Sequence, residues 1–145
     1  MTEAREAGGP ADNSCFSPRD VLASMRPNQW TKNLFVVPAA FFFALWDRSR
    51  AHPLHLADLA LVIPAVALFC LLSGGIYVLN DILDREADRQ HPEKRHRPIA
   101  AGRLSVPQAW LVALALLGAG LGGSFLLSVP FAWVGIAYVG MHVLY

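Results

Sequence analysis

Long apolar runs separated by short polar connections make up most of this chain, and a membrane helix needs about 20 consecutive apolar residues to cross the hydrocarbon core. Leu59 to Leu79 carries no charged residue, and neither does Val106 to Leu127, whose most polar members are Gln108 and Ser124. Both predict spans. Leu34 to Trp46 is shorter and holds Pro38, but with Thr31 and Asn33 leading in from an interfacial Trp30 it predicts most of a first span, extended here to 34–50. Beyond Pro130 the chain turns apolar again and stops at Tyr145, so a fourth span, 129–145, reads as unfinished and the chain as truncated after three to four helices. The expected fold is an all-α membrane protein, a multi-pass transmembrane helical bundle with spans near 34–50, 59–79, 106–127 and 129–145.

The polar stretches divide the rest. Residues 1–17 combine Glu3, Glu6 and Asp12 with Gly8, Gly9 and Pro10 and hold no apolar core of signal-peptide length, which predicts a flexible leader. From Ser17 to Lys32 the pattern is amphipathic: Pro18 opens a short helix with Val21, Leu22 and Met25 on one side and Arg19 and Asp20 on another, an approach lying at the membrane interface. Residues 18–145 are then one membrane domain. Pro64 and the Gly74–Gly75 pair within the second span predict a bent helix, and the spacing of Gly118 and Gly122 permits close helix contact.

Composition agrees: 54% of the 145 residues are hydrophobic and 16% charged, against roughly a quarter charged in soluble domains. The net charge of +1 points to no nucleic-acid partner. Cys15 and Cys70 are isolated and offer neither a disulfide framework nor metal-ligand spacing. Charge placement is more informative. Arg85, Arg89, Lys94, Arg95, Arg97 and Arg103 crowd between the second and third spans, whereas 47–58 holds only Arg48 and Arg50 as basic side chains of that type. The positive-inside rule puts the 80–105 loop, and with it the N-terminus, in the cytoplasm.

Candidate chemistry sits where the second span leaves the bilayer, in the stretch from Asn80 to Pro98. Continued as one helix, it stacks Asn80, Asp84 and Asp88 at i, i+4 and i+8, with Asp81 beside them. Oxygen donors that converge need a cation, and Mg2+ is usually held by one or two carboxylates together with substrate phosphates. Lys94, Arg95 and Arg97 follow, suited to the remaining phosphate charge, with Pro92 and Pro98 ending the helix so that they fold back over the carboxylates. The plainer explanation is a solvated, salt-bridged helix end. Against it, Asp84 and Asp88 share a face while Arg85 and Arg89 lie on the adjacent one, and acidic clusters at a membrane boundary are functional hypotheses by default.

The pattern Asn80-Asp81-x-x-Asp84-x-x-x-Asp88, followed by Arg97-Pro98-Ile99-Ala100-Ala101-Gly102, resembles the first aspartate-rich motif of the UbiA superfamily of intramembrane prenyltransferases. Arg26 to Asn33 and the His91 to Arg95 insertion are most similar to the decaprenyl-phosphate phosphoribosyltransferase branch. The resemblance, over about residues 20–145, implies a UbiA-like bundle around a central cavity, of which this chain supplies the first part. It implies that Asn80, Asp81, Asp84 and Asp88 hold Mg2+, with Asp84 and Asp88 catalytic. By the same resemblance, Asn80, Lys32, Lys94, Arg95, Arg97 and Arg26 meet the phosphates of donor and acceptor. The implied reaction moves a 5-phosphoribosyl group from phosphoribosyl pyrophosphate to a polyprenyl phosphate in the cell (inner) membrane, for cell-wall precursor synthesis. A homo-oligomer or a complementing membrane chain is a further expected partner, because the family's second aspartate-rich motif does not occur in these 145 residues. Three alternatives stand beside this one: an aromatic prenyltransferase using a prenyl diphosphate, an inactive remnant or half-subunit, and a small cation transporter.

Overall fold

The computed structural model describes residues 17–35 and 60–144, all of whose regular elements are helical. The first expected span lies almost wholly outside these residues, as do the leader up to residue 16 and Cys15; Leu34 and Phe35 end a 3-10 segment.

Helix α1, Pro18–Ser24, opens on Pro18, whose missing N–H would have no partner in a first turn anyway. It leads into a 3-10 segment, Pro27–Phe35. Between them Arg26 takes a left-handed backbone (φ 50°), a conformation that costs a residue with a Cβ about 1–2 kcal/mol. Helix α2 is Val62–Leu83, displaced by a few residues from the expected 59–79. Pro64 falls in its first turn, where a proline is tolerated, so it starts the helix instead of bending it. Helix α3, Arg85–Gln90, follows at once and is capped by His91 just before Pro92.

Helix α4 is Val106–Leu127, as read from the sequence. Its start is fixed by a capping box: the Ser105 N–H donates to Gln108 Oε1 at 3.1 Å, with Pro107 in the first turn. A single extended residue, Ser128, then joins α4 to helix α5, Val129–Leu144. Its hydroxyl accepts the Phe131 N–H at 3.2 Å and so caps α5.

α2 and α4 form the main packing seam. A Cβ at Gly75 would sit 2.8 Å from Leu117 Cγ, and one at Gly120 2.6 Å from Leu72 Cδ2; Gly123 is likewise filled by Leu68. Gly74 receives Met25 from the interfacial segment. The expected Gly118–Gly122 contact is not made: among the described residues nothing lies within 4 Å of either position, because Gly120 and Gly123 are the glycines that face α2. Outside the seam large apolar side chains stand open, Leu126 being 91% and Leu144 90% exposed. Two helices of 22 residues, α2 and α4, have the length and apolar composition to cross a membrane; α5, at 16 residues, is shorter.

The connection 91–105 is not a loose loop. Ile99 and Leu104 are buried with Val78, Ala109, Val112 and Ala113, and Val21 of α1 packs on the same cluster. Pro98 turns the chain, its carbonyl accepting the N–H groups of Arg103 (2.9 Å) and Leu104 (3.1 Å), and Gly102 supplies the positive φ (76°) that this turn requires.

Candidate functional site

The motif from Asn80 to Asp88 is not one row of donors. α2 stops at Asp84, whose backbone (φ −85°, ψ 2°) leaves the helical region, although the bonds from Asp84 N–H to Asn80 O and from Asp88 N–H to Asp84 O, both 2.8 Å, carry the helical pattern across. Helix geometry explains the grouping. At 3.6 residues per turn, residues seven apart differ by about 20° and residues eight apart by about 80°. Asp88 therefore falls in line with Asp81, and the expected stack of Asn80, Asp84 and Asp88 is corrected to two pairs: Asp81 with Asp88, and Asn80 with Asp84.

The first pair is buried, each residue 2% exposed, and it is neutralised from two directions. Arg97 NH1 donates to Asp88 Oδ2 at 2.6 Å and to Asp81 Oδ1 at 3.1 Å. Arg26 NH2 donates to the same Asp81 Oδ1, while its guanidinium lies 5.1 Å from the centre of the Tyr77 ring. Two carboxylates and two guanidiniums thus balance, as buried ions must. Neighbouring bonds fasten the same corner. Arg89 Nε donates to Ala100 O at 3.1 Å, Arg103 Nε to Asp20 Oδ1 at 2.8 Å, and Arg103 NH2 to His96 O at 3.0 Å.

The second pair faces outward. Asn80 and Asp84 are exposed and line a pocket of about 730 Å³ with Leu83 of α2 and Met141, His142 and Val143 of α5. His142 was not singled out from the sequence, although an imidazole in an otherwise apolar helix was the available signal. Its Nδ1 lies 2.9 Å from Tyr138 O, and its ring packs 4.5 Å from that of Tyr138.

Of the basic residues expected at the site, Arg97 and Arg26 fold onto the carboxylates. Lys94 and Arg95 stay exposed in the short 3-10 turn Lys94–His96, with Arg95 Nε 3.4 Å from His96 Nε2, and Lys32 is exposed as well. Pro92 and Pro98 thus return one of the three downstream basic side chains, Arg97, to the carboxylate face.

Among the described residues, no three His, Cys, Asp or Glu side chains stand together as a self-sufficient metal site. The donor chemistry of the open pair nonetheless fits Mg2+, a hard cation that takes oxygen ligands and completes its octahedron with water and phosphate.

The UbiA prenyltransferase family model matches residues 35–145. This chain belongs to that family. Helices α2 to α5 and the whole aspartate motif fall inside the match, which makes the open apolar faces of α4 and α5 those of a multi-pass membrane fold. Two relatives named decaprenyl-phosphate phosphoribosyltransferase are each 38% identical: one from Mycobacterium tuberculosis over 125 residues (86% of this chain, 40% of the relative) and one from Corynebacterium glutamicum over 127 residues (86% and 37%). A protoheme IX farnesyltransferase of Herminiimonas arsenicoxydans is 31% identical over 112 residues, covering 76% of this chain and 38% of its own length. The chain thus spans about 40% of the length of the phosphoribosyltransferases it matches.

Proposed function

We propose that this UbiA-family chain is the part of a membrane transferase that binds a diphosphate donor, and that the group transferred is 5-phosphoribosyl, from phosphoribosyl pyrophosphate to a polyprenyl phosphate. The observation that carries the reading is the outward pair Asn80–Asp84 on the wall of a pocket at the end of α2. The relatives' names favour the phosphoribosyl donor over a prenyl diphosphate, since the phosphoribosyltransferases share more identity with this chain than the farnesyltransferase does.

In this reading Asn80 and Asp84 hold Mg2+, which when bound offsets the charge that builds on the diphosphate leaving group. Lys94 and Arg95 meet phosphate oxygens from the loop side, and Arg97 adds a cation whose NH1 is fixed on carboxylates. Lys32, exposed on the 3-10 segment, meets the lipid phosphate head group in this reading. Leu83, Met141 and Val143 give the pocket an apolar flank against which a lipid-soluble acceptor can lie. The basic 80–105 connection lies on the cytoplasmic side of the inner membrane, the side of a soluble phosphoribosyl donor.

The test is a transfer assay on the gene product in native membranes, with labelled phosphoribosyl pyrophosphate and decaprenyl phosphate. Label is expected in the lipid fraction only when Mg2+ is present. Asp84→Asn is expected to remove several kcal/mol of leaving-group stabilisation, about a hundredfold or more in rate. Transfer from a prenyl diphosphate to an aromatic acceptor, with none from the phosphoribosyl donor, would replace this reading with its relative. Near-normal turnover by Asp84→Asn at saturating Mg2+ would remove the cation site.

A further inference from the structure

The two halves of the aspartate motif differ in ways that a shared role in cation binding leaves unexplained. Asp81 and Asp88 are each 2% exposed and already matched by two guanidiniums, while Asn80 and Asp84 are exposed on a pocket. A cation taken up by Asp81 or Asp88 would compete with an arginine for a buried carboxylate that is already neutralised. The arginines come from different segments: Arg26 from the interfacial approach, 55 residues before Asp81, and Arg97 from within the 91–105 connection, 16 residues after it. Arg26 also holds its left-handed backbone at this point, a conformation that persists only when its surroundings over-determine it.

We infer that Asp81 and Asp88 are positioning residues: they latch the interfacial segment and the basic connection onto the end of α2 through Arg26 and Arg97, and so set where the phosphate-facing side of the pocket stands. The inference rests on the reading of Asn80 and Asp84 as the cation pair and of the connection as the phosphate wall. Arg97 spends one nitrogen, NH1, on both carboxylates. Among the described residues its remaining guanidinium N–H groups make no other bond and stay available to an anion. Arg103 ties the connection to α1 through Asp20, and Arg89 ties it to α3 through Ala100 O, so the latch closes a ring of segments around the motif.

The test uses purified gene product with Mn2+ as the cation probe, inorganic pyrophosphate as the anion probe, and hydrogen exchange across Arg97–Leu104. Asp88→Asn is expected to leave Mn2+ affinity within about threefold of wild type. It should weaken pyrophosphate binding about tenfold and speed exchange at the Ala101, Arg103 and Leu104 amides, which are hydrogen-bonded in the latched connection. Asp88→Glu should restore much of both. Asp84→Asn should do the reverse, losing Mn2+ while the exchange pattern holds. A tenfold or larger loss of Mn2+ affinity in Asp88→Asn overturns the inference, and so does exchange at Arg97–Leu104 that is unchanged from wild type. Should wild type bind no Mn2+, the cation reading above fails, and exchange in Asp88→Asn and Arg97→Gln, accelerated or unchanged, still decides the latch. If Asp88→Asn does not fold, Arg97→Gln takes its place, with the same expected split between cation and anion.

Discussion

Between α2 and α4 the chain packs by shape, with Gly75, Gly120 and Gly123 each giving up a side chain so that Leu117, Leu72 and Leu68 can enter. At the end of α2 it packs by charge, with Arg26 and Arg97 closing on Asp81 and Asp88, while Ile99 and Leu104 of the connection are buried with Val78 of α2. In a membrane, apolar side chains gain little by leaving lipid for protein, so the seam relies on close van der Waals contact. The corner sits where the span ends, and there charged groups can be buried only in matched sets. The seam therefore orients the helices, while the corner ties the approach segment and the 91–105 connection to the end of α2.

That contrast is open to ranking. Asp88→Asn should have the largest effect on stability, about 3 kcal/mol, because it leaves Arg97 sharing one carboxylate in a buried setting. Denaturant unfolding in detergent would measure it, and a loss under about 1 kcal/mol would mean that the corner is solvated and the ion pairs weak. Gly120→Ala should cost less, about 1–3 kcal/mol, since a Cβ there meets Leu72, a side chain able to move part of the way. Gly118→Ala should change stability by no more than about 0.5 kcal/mol, with open space around it among the described residues. A reversed order of the two glycine variants would place the helix contact on the Gly118–Gly122 face.

Sequence and structure agree most where one physical rule acts alone. The absence of charge from Val106 to Leu127 gives the extent of α4, and the capping box of Ser105 and Gln108 that the structure shows begins the helix at the same place. Pro18 marks α1 in the same way. Pro64 was harder to interpret, since a proline in an apolar run either bends a helix or begins one, and the position of Leu61 as N-cap decided for the second. The aspartate motif was legible as a site but not in its internal division. An i, i+4, i+8 reading accumulates about 80° of rotation by its last member, so Asp88 leaves the row that Asn80 and Asp84 begin. The expected fold-back across Pro92 and Pro98 brings Arg97 to it, whereas Arg26, joined through Asp81, comes from a remote segment that no local pattern connects. His142 reaches the pocket only through the packing of α5 beside α2, which depends on the one-residue link at Ser128.

The division of the motif is most directly tested by locating a bound cation. Crystals of the gene product grown with Mn2+ and pyrophosphate, measured at the manganese absorption edge, should place the anomalous peak closest to the Asn80 and Asp84 side-chain oxygens. Arg97 should still be paired to Asp81 and Asp88. A peak ligated by Asp81 or Asp88, with Arg26 or Arg97 swung away, would contradict the account and return all four residues to a single metal site.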